Sequence, residues 1–482
     1  MNKKIHAILP FVLLFTFLLG LISSGSMLFA ETFEKGKIIE KVTCTLDASE
    51  SYSLYLPSSY SSEIKYPVLF TFDPAGRAMM PQNIFKTAAE TLNYIVVCPY
   101  NVKNGPNGPV VKAMNAVWND ICSRFAVDKQ RIYAAGFSGG SRVSSFFSMV
   151  IRNPVRGIIG VGAGLSTGVT IEHVKGISYY GIVGYADFNY REMIALQNEF
   201  KKAGIIHHFM YYDSSHKWPP EPLCTRALEW MELNAMKQNL TAKKEPFIQS
   251  IYEHETKLTS ERETSGEIYY AALEYESLAA IFNDLIPQTQ TDSLLKKSTD
   301  LKNSKEFKKF EKDDQNRLKE EQETLGNFLS RLNMLKTADP METPLNSIFS
   351  SLNLKKLDKE MTEKKNPYDS GLAERILYNI GITVFPEAEA YILGKDFKRA
   401  SILMEIAETA CKRSVYYPYV FYNMAVINAL QGKTEKAIKY LHEAINNGFK
   451  NFEAMKQDKD LDSIKNTEEY KKIIASGGQN PF

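Results

Sequence analysis

Ser138 stands at the centre of the pentapeptide Gly136-Phe137-Ser138-Gly139-Gly140. Acyl transfer by a serine needs a hydroxyl held clear of its neighbours, a base, an acid that orients the base, and N–H donors for the oxyanion. A Gly-x-Ser-x-Gly turn between a strand and a helix meets the first need, because larger side chains two positions away would collide. The run 131–135 predicts a strand before this turn, and 141–151 predicts a helix after it. The pattern therefore predicts Ser138 as a nucleophile.

Asp187 is the acid that the sequence favours. When the nucleophile lies in such a turn, the acid and then the base follow it in the chain, each after a later strand. Asp187 directly follows the predicted strand at 178–183 and precedes a predicted helix. Asn189 and Glu192 form a capping-box pattern, so the start of that helix does not need Asp187. The nearest rival, Asp213, is predicted to be a surface or turn residue.

His216 is the predicted base. It lies in the loop 213–220, after the last apolar strand and before an amphipathic helix that begins near Glu221. Imidazole titrates close to neutral pH, which suits a general base, and its place after Asp187 completes the expected order. His207 and His208 fall at the start of the preceding strand and are weaker candidates.

Two further sites are predicted to supply the oxyanion donors. The backbone N–H of Gly139 follows the nucleophile directly, as this chemistry requires. A second donor is expected from the loop after the strand at 68–72, which reads Asp73-Pro74-Ala75-Gly76-Arg77. Pro74 has no N–H, so Ala75 or Gly76 is predicted to donate.

The elements that must position these residues lie between residues 35 and 240. Short apolar runs alternate there with helical stretches, which predicts an α/β domain with a mostly parallel sheet covered by helices. Several runs are apolar on both faces, as a sheet buried on two sides requires. The predicted strands are 68–72, 94–98, 131–135, 157–161, 178–183 and 208–212.

The second half of the chain is predicted to be helical, with a helical linker region over 241–385 and a repeat-like region over 386–482. Leu318, Leu325 and Leu332 are spaced by sevens, which predicts one helix face packed on a neighbour. The spacing of small residues around Ala425 and Ala437 resembles a tetratricopeptide repeat, in which two antiparallel helices approach closely. Such repeats suggest a protein partner.

The N-terminus predicts export. Lys3 and Lys4 precede an almost wholly apolar run from Ile8 to Ile22, and Ala30 offers a cleavage point, so residues 1–30 are predicted to be a signal peptide. The run is nearly long enough to remain as a membrane anchor instead. The formal net charge of +2 gives no reason to expect a nucleic acid partner.

Residues 50–237 resemble the α/β-hydrolase superfamily, near its polyhydroxybutyrate depolymerase and feruloyl esterase type. The matching segments are 55–58, 136–140, Asp187 and 216–219. The resemblance implies Ser138 as nucleophile, Asp187 as acid and His216 as base. The expected substrate is a small-molecule or polymer ester. No metal or organic cofactor is expected, because none of the reaction steps needs one. The loop after Phe72 lacks the His-Gly-Gly-Gly sequence of lipase-like relatives. The resemblance therefore does not identify the second oxyanion donor.

Two alternatives to an esterase remain. A serine peptidase of the prolyl oligopeptidase type uses the same residues on the same fold. An envelope protein could instead bind a partner through the helical half and keep an inactive hydrolase domain as a platform.

Overall fold

The computed structural model describes residues 33–151, 153–339, 344–475 and 477. The predicted signal peptide, residues 1–30, lies outside the described residues. No helix within the described ranges combines the length and the apolar character that a membrane span requires.

One sheet dominates the first half of the chain. The eight strands formed by the described residues are β1 (Ile38–Thr43), β2 (Ser51–Tyr55), β3 (Tyr66–Phe72), β4 (Ile95–Pro99), β5 (Val127–Phe137), β6 (Val155–Val161), β7 (Ser178–Gly184) and β8 (His207–Tyr212). Across the sheet they lie in the order β1-β2-β4-β3-β5-β6-β7-β8. Strand β2 is antiparallel to both of its neighbours, and strands β3 to β8 are parallel to one another.

The predicted parallel sheet with helical cover is confirmed. All residues of β3, β4 and β7 are buried, because helices pack on both faces. The interleaved helices are α1 (Met79–Leu92), α2 (Asn107–Arg124), α3 (Gly139–Val150), α4 (Tyr190–Ala203) and α5 (Glu221–Lys237). Parallel strands end at one edge of the sheet, and β3, β5, β7 and β8 each lead there into a loop that carries a predicted site residue.

The remaining chain is helical. The helices are α6 (Glu245–Thr264), α7 (Ile268–Phe282), α8 (Gln288–Asn303), α9 (Lys305–Thr337), α10 (Leu354–Glu363), α11 (Pro367–Leu393), α12 (Phe397–Ala410), α13 (Tyr417–Leu430), α14 (Thr434–Asn446), α15 (Phe452–Gln457) and α16 (Glu468–Ala475). Ile248, Tyr275 and Leu294, from α6 to α8, belong to the apolar cluster between the sheet and helices α1 and α5. The first helices of the second half therefore extend the core of the sheet.

A separate apolar cluster runs from Phe328 to Ile473. The predicted boundary between residues 385 and 386 falls inside α11, and the cluster continues on both sides of it. The division into a linker region and a repeat region stays a prediction. On α9, Leu332 is buried, whereas Leu318 and Leu325 are only partly covered.

Helices α13 and α14 contribute Ala425, Ala437 and Ala444 to this same cluster. These small buried side chains are the ones on which the repeat prediction depended. The likeness to a tetratricopeptide repeat stays a prediction.

Glu229 on α5 gives a pH-dependent stability prediction. Burial, together with the charge of Glu255, raises the pKa of the half-buried Glu229 to about 7, although Arg226 opposes the shift. An unfolded glutamate titrates near pH 4.3. The folded protein favours the neutral carboxyl of Glu229, so the contribution of this group to the free energy of unfolding is complete below pH 4.3 and is lost as the pH rises through about 7. Glu229→Gln is therefore expected to raise the free energy of unfolding by about 1 kcal/mol at pH 8 and by little at pH 5.

Urea unfolding at both pH values measures the change, with the exposed Glu199→Gln as the matched control. An equal effect of Glu229→Gln at the two pH values would contradict the prediction.

Candidate active site

Ser138 occupies the single-residue turn between β5 and α3. Its backbone has φ 55° and ψ −121°, a conformation that an L-residue adopts only when the surrounding structure imposes it. Its N–H donates to the carbonyl of Val161 on the adjacent β6 at 2.8 Å, which ties the turn to the sheet. The side chain is thereby held at the edge where the parallel strands end.

The glycines on either side of Ser138 are required by close backbone approach. A Cβ atom on Gly136 would lie 2.1 Å from the carbonyl oxygen of Gly140. A Cβ atom on Gly140 would lie 2.0 Å from the carbonyl oxygen of Phe72, at the end of β3. The turn can therefore form only with glycine at both positions.

The structure brings Ser138, His216 and Asp187 into one hydrogen-bonded chain. The Nε2 atom of His216 lies 2.8 Å from the Oγ atom of Ser138, and its Nδ1 atom lies 2.9 Å from Oδ2 of Asp187. The Asp187 side chain is 2% exposed, whereas that of His216 is 16% exposed. A buried acid thus faces one imidazole nitrogen, and the serine hydroxyl faces the other.

Two aromatic rings enclose the imidazole of His216. The ring of Phe137, next to the serine, lies 4.5 Å from it between centroids, and the ring of Phe188, next to the aspartate, lies 4.1 Å from it. These contacts restrict rotation of the imidazole, so its two hydrogen bonds keep their direction.

The loop that carries Asp187 differs in detail from the sequence prediction. The Asn189 side chain does not cap α4, and it donates instead to the carbonyl of Gly162 at 2.6 Å. Glu192 pairs with Arg142 at 2.7 Å, so the predicted capping box is wrong. The Oδ1 atom of Asp187 accepts the N–H of Asn189 at 2.8 Å, which leaves Oδ2 to His216.

The loop after β3 is organised by the buried carboxylate of Asp73. It accepts the backbone N–H of Ala75 at 2.9 Å and the indole N–H of Trp218 at 2.9 Å, and it pairs with Arg77. Burial alone would raise the pKa of Asp73, but these hydrogen bonds lower it below its usual value. The N–H of Gly76 donates to the Asp73 carbonyl at 3.0 Å.

Both N–H groups that the sequence predicted as second oxyanion donors, those of Ala75 and Gly76, therefore have acceptors within their own loop. As the loop stands, either one would have to leave Asp73 before it could bind an oxyanion. An aspartate at the end of a strand commonly accepts a hydrogen bond from the N–H two residues on. The sequence prediction overlooked this bond.

Asn104 lies beside the turn and was missed by the sequence analysis. Its carboxamide is so close that a Cβ atom on Gly139 would be 1.8 Å from Oδ1 and 3.2 Å from Nδ2. The N–H of Asn104 donates to the carbonyl of Pro74 at 2.8 Å, which joins its loop to the loop after β3. The loop around it, residues 101–106, lies between β4 and α2, and its composition alone carries no sign of this placement.

The rival residues lie outside the hydrogen-bonded chain. Asp213 is exposed. His208 is buried and bonds Ser277 on α7 at 2.5 Å, and burial lowers its pKa to about 3. His207 bonds the carbonyl of Ile205 at 2.7 Å.

The chain is similar to several solved structures. Over 40% of this chain and 94% of the other, it superposes on a ferulic acid esterase with 16% identity and a TM-score of 0.32. A fluorophosphonate-binding serine hydrolase of Staphylococcus aureus gives 15% identity over 41% and 99% of the two chains, with a TM-score of 0.34. A feruloyl esterase module from Clostridium thermocellum gives 15% identity over 38% and 82%, with a TM-score of 0.32.

No protein-family model matches the sequence. No curated protein matches it either. The first half of the chain has an α/β-hydrolase fold, with a mostly parallel sheet covered by helices, and an all-α region follows it.

Proposed function

We propose that this chain is a serine hydrolase that cleaves carboxylic esters through an acyl-enzyme intermediate. The observation that carries the proposal is the unbroken hydrogen-bonded chain from the Oγ atom of Ser138 through His216 to Asp187. A serine in a strained turn, a histidine within 2.8 Å and a buried aspartate behind it form the arrangement that activates a hydroxyl for attack.

In the proposed reaction, the Ser138 oxygen attacks the ester carbonyl while Nε2 of His216 takes the hydroxyl proton. Asp187 accepts the Nδ1–H bond and stabilises the imidazolium that forms. His216 then gives its proton to the leaving alcohol, which departs as the acyl-enzyme forms. In the second half-reaction His216 takes a proton from water, which attacks the acyl-enzyme, and the acid leaves as His216 returns that proton to the Ser138 oxygen.

The developing oxyanion needs donors on the opposite side of the carbonyl. We assign the first to the N–H of Gly139, at the N-terminus of α3, where the helix dipole also favours negative charge. The second candidate is Nδ2 of Asn104, because the carboxamide adjoins Gly139 while the N–H groups of Ala75 and Gly76 are committed to Asp73. Oδ1 is the nearer atom to Gly139, so the carboxamide would have to turn to present Nδ2 to the oxyanion.

Labelling of the full chain with a fluorophosphonate probe tests the nucleophile. We expect one probe per chain, carried on the peptide that contains Ser138, and no labelling of Ser138→Ala. Ser148→Ala is the matched control, because Ser148 is on α3, the helix that begins directly after Ser138, and its hydroxyl donates to the Ser145 carbonyl at 3.2 Å. Labelling of Ser138→Ala at the wild-type rate would refute the proposal.

Turnover of matched substrates tests the bond that is cleaved. We expect p-nitrophenyl acetate to be hydrolysed at a far higher kcat/KM than the p-nitroanilides of short peptides. The opposite preference would identify a serine peptidase, and a chain that turns over neither would correspond to an inactive platform.

Asn104→Ala gives a separate prediction about the oxyanion. Because one donor would be lost from the transition state, we expect kcat to fall by at least about 10-fold while KM changes little. Asn101→Ala, in the same loop, is the control. If Asn104→Ala retains the wild-type kcat, the second donor lies elsewhere, and Ala75 becomes the leading candidate.

We also propose that the protein is exported, on the basis of the basic and apolar residues before Ala30. The N-terminal sequence of protein recovered from the medium or the cell envelope tests this. A new N-terminus at Glu31 is expected after cleavage, whereas a retained Met1 would indicate an anchor.

A further inference from the structure

Helix α11, in the all-α half, contacts the loop that carries Asp187. This loop spans residues 185–189, between β7 and α4. A Cβ atom on Gly371 of α11 would lie 2.8 Å from the carbonyl oxygen of Tyr185 and 3.2 Å from the nitrogen of Ala186. Helix and loop therefore meet backbone against backbone.

Arg375 of α11 holds the loop two residues before Asp187. Arg375 is 1% exposed, and its guanidinium donates to the carbonyl of Tyr185. Two N–H groups of the loop are bonded within the first half of the chain, where that of Tyr185 donates to the carbonyl of Tyr212 and that of Ala186 to the carbonyl of Ser214, both at 2.9 Å. The Tyr185 hydroxyl bonds Arg262 and Glu267 of the helical half, at 2.9 and 3.2 Å. Arg375 therefore supplies from the helical half the hydrogen bond that fixes the Tyr185 carbonyl.

The guanidinium is itself fixed on the opposite side. Both oxygens of Glu321 on α9 accept from it, at 2.9 and 2.7 Å, and Glu321 also pairs with Arg191 of α4 at 3.1 Å. The Arg375 guanidinium further lies 4.8 Å from the centroid of the Tyr190 ring. A buried charge is costly unless it is paired and hydrogen-bonded. The charge of Arg375 meets the carboxylate of Glu321 on α9, the carbonyl of the loop and the Tyr190 ring of α4.

Tyr378, one turn further along α11, holds the loop one residue after Asp187. Its ring stacks on that of Phe188 with centroids 4.3 Å apart and an angle of 2° between the planes. The Phe188 ring also contacts the imidazole of His216, with ring centroids 4.1 Å apart. The acid is thus bracketed by two contacts from one helix, one of which continues to the base.

From these contacts we infer that Arg375 and Tyr378 are positioning residues of the active site, and that the all-α half is part of the hydrolase. The inference rests on the proposed function. Without Arg375 the Tyr185 carbonyl loses its charged donor, and Asp187 shifts relative to His216. Displacements of about 1 Å at a catalytic group can cost about 100-fold in rate.

Steady-state hydrolysis of p-nitrophenyl acetate by the full chain tests this, together with active-site titration by a fluorophosphonate and a thermal melt. For Arg375→Met we expect kcat per titrated site to fall about 10- to 100-fold, with KM within about threefold of wild type. The rate of phosphonylation should fall in parallel while its final stoichiometry stays at one. Arg375→Lys, with one ammonium in place of a planar fork, should be intermediate.

Arg399→Met is the matched control. Arg399, on α12, also bonds backbone carbonyls of the helical half, including that of Leu335 at 2.8 Å, and it pairs with Asp396. Its loss should lower the melting temperature and leave kcat per titrated site unchanged. If Arg375→Met keeps its per-site kcat, or if Arg399→Met loses as much, the helices only stabilise the fold and the inference is overturned.

Tyr378→Leu decides the matter if Arg375→Met fails to fold. It removes the stacked ring from a half-buried position, and kcat per site is expected to fall by about threefold to 10-fold. Tyr391→Leu, on the same helix, is its control and should not change kcat. Wild-type kcat in Tyr378→Leu would overturn the inference, whereas a wild-type chain that neither labels nor hydrolyses the ester would refute the proposed function itself.

Discussion

Replacing Ser138 with alanine is expected to lower kcat for p-nitrophenyl acetate by about 10⁵- to 10⁶-fold. In the proposed mechanism the hydroxyl oxygen forms the acyl bond, and neither the imidazole nor the oxyanion donors can substitute for it. Binding should persist, so KM is expected to stay within a few-fold of wild type. Initial rates at high enzyme concentration, corrected for spontaneous hydrolysis, measure the residual activity.

The double variant Ser138→Ala/His216→Ala sharpens this prediction. Residues that act as one unit are strongly non-additive, so the double variant should be as active as Ser138→Ala alone, within about threefold. A further loss comparable to the first would mean that His216 acts independently of Ser138.

Replacing Asp187 with asparagine is expected to lower kcat by about 10⁴-fold while leaving the fold intact. The Oδ2 atom accepts the Nδ1–H of His216 across 2.9 Å, whereas an amide nitrogen in its place would donate and favour the wrong tautomer. The imidazole would then present a proton to Ser138 instead of a lone pair. Steady-state kinetics together with a thermal melt separate this loss from unfolding.

Asp213→Asn is the matched control, because Asp213 is the rival acid from the sequence and is exposed. Its kcat is expected to equal that of wild type. A large loss in Asp213→Asn together with a normal Asp187→Asn would reverse the assignment of the acid.

The features that the sequence predicted correctly depend on short stretches of chain. The strand, turn and helix around Ser138 are set by apolar residues of β5 and by glycines that no larger residue can replace. The parallel sheet follows from strands that are apolar on both faces. The bond from the N–H of Ala75 to Asp73 was also signalled locally, by an aspartate two positions before the donor, but the sequence prediction overlooked it.

The contacts of α11 could not be predicted, for a different reason. A hydrophobic period indicates that a helix has a buried face, but it does not say which distant surface that face will meet. Arg375 appears in the sequence as one charged residue among many, and its burial follows only from the meeting of α9, α11 and the Asp187 loop. Asn104 was missed for the same reason, since its neighbour Gly139 is on another element.

The bond from Arg375 to the Tyr185 carbonyl joins residues 190 positions apart in the chain. At ribosomal speeds of about 5 to 20 residues per second, roughly 10 to 40 s separate the synthesis of the two. Synthesis passes Ser138, Asp187 and His216 long before it reaches α11, the helix that holds the loop of Asp187. In the proposed mechanism, a nascent chain therefore carries all three reactive groups before it has the helix that holds the loop of Asp187 in place.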